Sequence, residues 1–170
     1  MEILPWSHDK YPPLDPIEAA TVVQEYLALK PSVRDIFNVS IQRINQAQRR
    51  RTVGDKAVEL CTALEALMGD SGNTEMTHKI KVRATRLVGG APSVRINNAA
   101  LLGETYAIRS KLVHTGKVDE NRKKSIAGRE LTRADIVKET VEIAVELVKV
   151  LIRRGGIPDW SEFDVTEQAT

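Results

Sequence analysis

Thr132-Arg-Ala-Asp-Ile-Val-Lys-Glu-Thr-Val-Glu-Ile-Ala-Val-Glu-Leu-Val-Lys-Val-Leu151 is the stretch that decides the fold class. Thr132 with Asp135 three residues later resembles a capping box in which aspartate replaces glutamate, so a helix opens here. Ile136, Val137, Thr140, Val141, Ala144, Leu147, Val148 and Leu151 then recur at threes and fours. That spacing lines one wide face of a 3.6-residue helix, and a face this wide belongs to a core. Gly155-Gly156 ends the helix. Such a face needs partners, and the rest of the chain offers helices rather than strands, since no convincing strand pattern and no internal repeat is present.

Upstream, Ile17 to Leu29 is apolar enough for a first helix, and Pro31 marks a break before a second from about Ser32 to Arg50. Val33, Ile36, Phe37, Ser40, Ile41 and Ile44 are its expected inward stripe. An Asp55–Met68 helix, capped by Asp55, turns Val58, Cys61, Leu64, Leu67 and Met68 inward. Glu65 lies close to that face, an expensive place for a carboxylate without a partner, and Arg83 is the expected one. Glu75–Val88 reads as a shorter helix with Met76, Ile80, Ala84 and Leu87 inside and Lys79, Lys81 and Arg86 solvated. A helix from about Ser93 to His114 follows, with Ile96, Ala99, Leu102, Tyr106 and Val113 as the expected buried stripe. Gly103 within it would permit close approach of another helix, a second copy being one candidate.

Residues 117–129 show no period and much charge, which predicts a loop. The first sixteen residues hold Pro5, Pro12, Pro13 and Pro16 with Trp6 and Tyr11, which predicts an extended arm pinned by its aromatics. The last stretch is acidic, with Ile157, Trp160 and Phe163 expected to fold back onto the body. The prediction is an all-α, single-domain bundle of about five to six helices, with an N-terminal arm and first helix over 1–30, the helical domain over 31–164 and a tail over 165–170.

The bulk numbers fit one domain: 170 residues, 42% hydrophobic and 28% charged. Cys61 is the single cysteine, which suggests a buried thiol in a reducing compartment. With no basic-then-apolar leader and no long apolar run, a cytoplasmic protein without a membrane segment is expected. The net charge is only +2, yet its distribution is uneven. From Tyr106 to Arg133 stand Arg109, Lys111, Lys117, Arg122, Lys123, Lys124, Arg129 and Arg133, against Asp119, Glu120 and Glu130. A polyanion would be drawn to this region.

The richest chemistry lies in Tyr106-Ala-Ile-Arg-Ser-Lys-Leu-Val-His-Thr-Gly116. Arg109 can grip phosphate through two parallel hydrogen bonds, and His114 can exchange a proton near neutral pH. Gly116 is the expected helix C-cap, which puts His114 in the last turn. On an ideal helix Arg109 and His114 project roughly 140° apart and about 7.5 Å along the axis, so one helix does not aim both at one atom. Either a twofold axis brings two chains around one cleft, or the helix ends early and swings His114 back.

The arrangement Tyr-x-x-Arg-Ser-x-x-Val-His-x-Gly resembles the Arg-x-x-x-x-His signature of HEPN domains, and most closely the Apea-like HEPN branch. The Asp55–Met68 helix, the Glu75–Leu87 helix with Arg83 and the long aliphatic helix into Gly155-Gly-Ile-Pro-Asp159 occur in the order of that branch, so the resemblance covers roughly residues 35–160. It implies a homodimer with a composite site and a metal-independent endoribonuclease acting on single-stranded RNA, in defence or stress response. Arg109 and His114 would be catalytic, with Ser110, Glu65 and Arg83 supporting and Lys111, Lys117, Arg122, Lys123 and Lys124 binding RNA. No cofactor or metal is implied. A sensor or antitoxin partner is compatible with the family. Gly116 stands where one toxin branch carries a tyrosine modified by its antitoxin, and that silencing is not expected here. The alternatives are a non-catalytic HEPN module binding RNA, a nucleotide or a partner protein, and a purely structural dimerisation domain.

Other chemistries find little support. His8 and His78 lack His or Cys neighbours at metal-ligand spacing, and Gly89-Gly90 and Gly155-Gly156 follow helices rather than cradle phosphate. Cys61 lacks the setting of a nucleophile, and Ser40, Ser93 and Ser110 lack the strand-turn-helix context of a hydrolase serine.

Overall fold

A computed structural model of the protein describes residues 15–70 and 75–166. The expected arm over residues 1–14, including Trp6, His8 and Tyr11, lies outside the described residues, as do 71–74 of the loop after the third helix and 167–170 of the tail. Among the described residues the chain is a helical bundle: α1 (Pro16–Ala28), α2 (Pro31–Arg49), α3 (Val53–Met68), α4 (Met76–Val88), α5 (Pro92–Thr115), α6 (Arg133–Arg153) and α7 (Trp160–Thr166). Between α5 and α6 runs an antiparallel hairpin of β1 (Lys123–Ile126) and β2 (Arg129–Thr132). No helix among the described residues is long and apolar enough to cross a membrane.

α6 forms as its sequence predicts. The Thr132 hydroxyl accepts from the Asp135 N–H, and the Asp135 carboxylate accepts from the Thr132 N–H at 3.0 Å. Ile136, Val137, Thr140, Ala144, Leu147, Val148 and Leu151 are buried, and Ile143 and Ile152 join them. α3 is the other central helix, packed against α2, α4, α5 and α6. It starts two residues before the expected point because Thr52, not Asp55, caps it: the Thr52 hydroxyl accepts from the Asp55 N–H at 3.1 Å, and Asp55 supplies the first-turn acid.

α5 is 24 residues long, about 36 Å, and it carries the sequence motif at its C-terminal end. The buried stripe differs from the expected one. Leu102 and Tyr106 are inside, but Ile96 and Val113 are 70% and 63% exposed, while Asn98, Leu101, Thr105 and Ile108 face the core. Apolar residues are spread all round this helix, so their spacing does not select a face. Polar contacts help to set it: Thr105 and Thr140 exchange a hydroxyl hydrogen bond of 2.8 Å in the α5–α6 interface. Ile36, expected inside on α2, is likewise exposed, whereas Phe37, Ser40 and Ile44 are buried.

The 117–129 segment, expected to be a loop throughout, holds most of the hairpin. Lys123 pairs with Thr132, Lys124 with Leu131, Ser125 with Glu130 and Ile126 with Arg129. Ala127 and Gly128 make the two-residue turn with φ of 50° and 76°, the handedness that matches strand twist. Side chains alternate across a strand, so Lys124, Ile126, Arg129 and Leu131 share one face. Ile126 and Leu131 are buried on it, and the two cations reach carboxylates of the bundle: Lys124 pairs with Glu104 of α5 at 3.0 Å and Arg129 with Glu139 of α6 at 2.8 Å.

The C-terminal stretch folds back as expected, and does so as a short helix. Trp160 and Phe163 of α7 are buried with their rings edge-to-face at 5.2 Å, and Ile157 is half-buried.

Candidate functional site

The C-terminal end of α5 is held by its neighbours on two sides. Gly54, near the start of α3, lies so close that an added Cβ would stand 3.1 Å from the Leu112 side chain and 3.2 Å from that of Val118. Only a residue without a side chain admits this approach comfortably. The Glu120 carboxylate accepts from the Val53 N–H at 2.9 Å, satisfying one of the open donors at the α3 N-terminus and tying down the segment that leaves α5. Gly116 ends α5 in the left-handed conformation at φ 67°, its N–H bonded to the Leu112 carbonyl at 2.7 Å, as the motif predicts.

The helix is continuous through Thr115. His114 therefore does not swing back, and within one chain Arg109 and His114 keep the divergence of an ideal helix. Arg109 is half-buried on the α3 side, where its charge acts on Cys61 and Tyr106, while His114 is exposed in the last turn. Between them on the helix surface stand Ser110 and Val113, both exposed. Arg109 with Val113 and Ser110 with His114 are pairs four apart, so the four form one patch with Arg109 and His114 at diagonal corners. Ala99 and Gly103 continue this face with small side chains. The nearest atoms to a Cβ added on Gly103 belong to the flexible Lys81 side chain, at 3.7 Å, so packing among the described residues does not require glycine there.

Arg109 forms no ion pair with a described residue, although Glu65 is close by. Glu65 sits beside Tyr106 and Cys61 instead of pairing with Arg83. Burial pushes the Cys61 thiol up to about 12, with the Glu65 charge adding to it and Arg109 opposing it. The buried Tyr106 phenol is raised by burial, by Cys61 and by Glu65, and its hydroxyl points at the Cys61 carbonyl 3.4 Å away.

The predicted Glu65–Arg83 contact is replaced by another arrangement. Arg83 is 1% exposed and spends its donors on Asp164 at 2.6 and 3.0 Å, on Asp70 at 2.7 Å and on the Met68 carbonyl, with its guanidinium 4.9 Å from the Trp160 ring. Both carboxylates lie outside α3 and α4, Asp164 some eighty residues downstream of Arg83. Spacing along α3 and α4 gave no signal for them. Arg86, expected to be solvated, likewise donates to the Asp164 carbonyl at 2.9 Å, and Lys79 pairs with Asp70 at 2.9 Å.

Of the cations expected to meet RNA, Lys111, Lys117, Arg122 and Lys123 carry no ion pair with a described residue, whereas Lys124 is tied to Glu104. The hairpin register gives the reason, since Lys123 faces away from the bundle and Lys124 toward it. Lys124 also stands beside α5 at Glu104, ten residues or about 15 Å along the axis from His114.

No family model, curated protein or solved structure matches this chain.

Proposed function

We propose that the protein is a metal-independent endoribonuclease that cleaves single-stranded RNA in a cleft shared by two copies of α5. The observation that carries this reading is the open patch at the end of that helix, where a half-buried arginine without an ion pair to a described residue and an exposed histidine flank Ser110 and Val113. A cation in that position is free to take a phosphate, and an uncovered valine beside it favours a partner surface. An antiparallel twofold through the patch sets Arg109 of one chain level with His114 of the other.

In that cleft the ribose 2′-hydroxyl attacks the adjacent phosphorus, and the bond from phosphorus to the 5′-oxygen of the next nucleotide breaks. The products are a 2′,3′-cyclic phosphate and a free 5′-hydroxyl. One His114 takes the proton from the 2′-hydroxyl, and the partner's His114 returns a proton to the leaving oxygen. Arg109 holds the non-bridging oxygens as charge builds on the phosphorane, and Ser110 orients phosphate or His114. Lys111, Lys117, Arg122 and Lys123 draw the strand in, through charge that salt will screen. The expected setting is defence or stress response, with a sensor or antitoxin as the class of protein partner.

The test is a fluorogenic RNA incubated with purified protein in EDTA, beside the same oligonucleotide with 2′-deoxy sugars. Cleavage of the ribose strand alone, ending in a cyclic phosphate and lost in His114→Ala, supports the proposal. Cleavage of both strands, or unchanged cleavage by His114→Ala, refutes this chemistry; binding without cleavage marks a non-catalytic module.

A further inference from the structure

The corner between α2 and α3 abuts the C-terminal end of α5. Gly54 meets Leu112 and Val118 there, and the Glu120 carboxylate accepts from the Val53 N–H. Arg133 donates to the Asp119 carbonyl at 3.0 Å, so the segment leaving α5 is tied to the start of α6 as well. The end of α5 and the starts of α3 and α6 therefore meet. Beside them opens a trough of about 670 Å³, whose mouth is lined by Val53 and Lys56 of α3 and by Ala134, Val137 and Lys138 of α6. Farther along, Glu142 and Glu146 join the lining, so its basic part is confined to the end beside α5.

Arg49, Arg51, Lys56 and Lys138 stand on this corner, and no ion pair joins any of them to a described residue. The nearby acids are engaged by uncharged donors. Asp55 accepts from the Thr52 hydroxyl at 2.7 Å, Asp119 from the Asn121 N–H at 3.1 Å and Asp135 from the Thr132 N–H at 3.0 Å, while Glu120 holds Val53. At the other end of α6 the pattern is different, since Glu18 takes both Lys149 and Arg153. A cation without a carboxylate can donate to a phosphate oxygen with no ion pair to break first. Arg51 is three residues from Gly54, at most about 11 Å, and His114 lies about 3 Å along the axis beyond Leu112. A strand seated at the α5 patch thus reaches this corner within a few nucleotides.

We propose that the corner, through Arg51, Lys56 and Lys138, holds phosphates of the single strand outside the step that is cut. The strand then passes from the α5 cleft across the start of α3 to the start of α6. This rests on the nuclease reading for its ligand, a single-stranded polyanion. A basic groove that tracks the backbone is a common way to hold such a strand, and Ala134 and Val137 between the lysines offer unpaired bases an apolar surface.

The test is the salt dependence of binding to a single strand of deoxynucleotides, followed by fluorescence anisotropy. Such a strand carries the phosphates but lacks the 2′-hydroxyl, so the proposed chemistry cannot cut it. Arg51→Ala with Lys138→Ala removes two exposed cations of the corner. Lys30→Ala with Arg34→Ala removes two cations at the opposite end of α6, where Lys30 lines a cleft with Arg153 and Gly155. The corner pair is expected to lower the slope of log K against log salt by about 1.4, and the distant pair to leave it unchanged. An equal drop in both pairs, an unchanged slope in the corner pair, or no binding by the wild type overturns the proposal. Nothing is cut in this assay, so a drop confined to the corner pair upholds the strand path even where the wild type fails to cleave RNA.

Discussion

Arg83 and Arg109 stand in two regions of one bundle, and the sequence resemblance names both, yet the fold treats them oppositely. Arg83 is enclosed between α4 and α7, with two carboxylates, a carbonyl and an indole around it. Arg109 is half-buried at the end of α5, near Glu65 but without an ion pair to a described residue. A buried guanidinium with most of its donors engaged by its own chain holds a structure together and has little left for a ligand. One held in place with its donors open is prepared for an anion, and on this contrast Arg83 is a structural residue while Arg109 belongs to the proposed site.

The sharpest way to break the contrast is to remove each arginine. Arg83→Ala leaves the part-exposed Asp70 and Asp164 without this partner and removes a fully buried side chain beneath Trp160, so it should cost about 2–3 kcal/mol in urea unfolding. Trp160 emission should shift to the red as α7 loosens. A cost below about 1 kcal/mol would show that Arg83 does not hold this corner. Arg109→Ala should instead change stability by no more than about 1 kcal/mol while reducing RNA cleavage by roughly 10²–10³-fold, as for loss of a transition-state donor. Severe destabilisation with no change in turnover per folded molecule would reverse the assignment.

A second buried pairing sharpens the same comparison through pH. Burial works against the Glu59 carboxylate, but hydrogen bonds from Arg50 and Arg43 outweigh it and hold its pKa below the ordinary 4.5. A carboxyl depressed in the folded state stabilises above its unfolded pKa, and the contribution disappears as pH falls through the folded value. Stability should therefore decline below about pH 4.5, and Glu59→Gln should be less stable at pH 7 with a flatter decline over that acid range. Urea midpoints at pH 7, 4 and 3 check this, and an unchanged acid slope in the variant would remove Glu59 from the account.

The smallest effect distinguishes neighbouring lysines. Lys123 faces away from the bundle and should contribute one phosphate contact, so Lys123→Ala should lower the salt slope of RNA binding by about 0.7. Lys124 is occupied by Glu104, and Lys124→Ala should alter that slope less. Equal effects would mean that the hairpin register does not sort these cations.

What the sequence made legible follows from how local the cause is. The capping box and valine stripe of α6 are local, and so is the Gly116 cap; both are found where expected. The hairpin was hidden because only Ile126 and Leu131 turn inward, too few to set up an alternation. The face of α5 was hidden because its apolar residues are not segregated, and Thr105 and Asn98 point inward with them. Arg83's partners were hidden for a third reason: Asp164 is distant in the chain, and its pairing depends on α7 returning to the bundle. Placement of Arg109 and His114 on one helix end was readable, whereas the absence of an ion pair between Arg109 and any described residue depends on what three-dimensional packing brings nearby.

The central claim is that two chains share one catalytic cleft, and subunit mixing measures it directly. Wild-type protein is equilibrated with increasing His114→Ala protein at constant total concentration, and RNA cleavage in EDTA is followed. A shared cleft that uses both histidines predicts activity falling with the square of the wild-type fraction, since mixed dimers are inactive. Activity falling in simple proportion to that fraction would contradict the account, because each chain would then carry a complete site of its own.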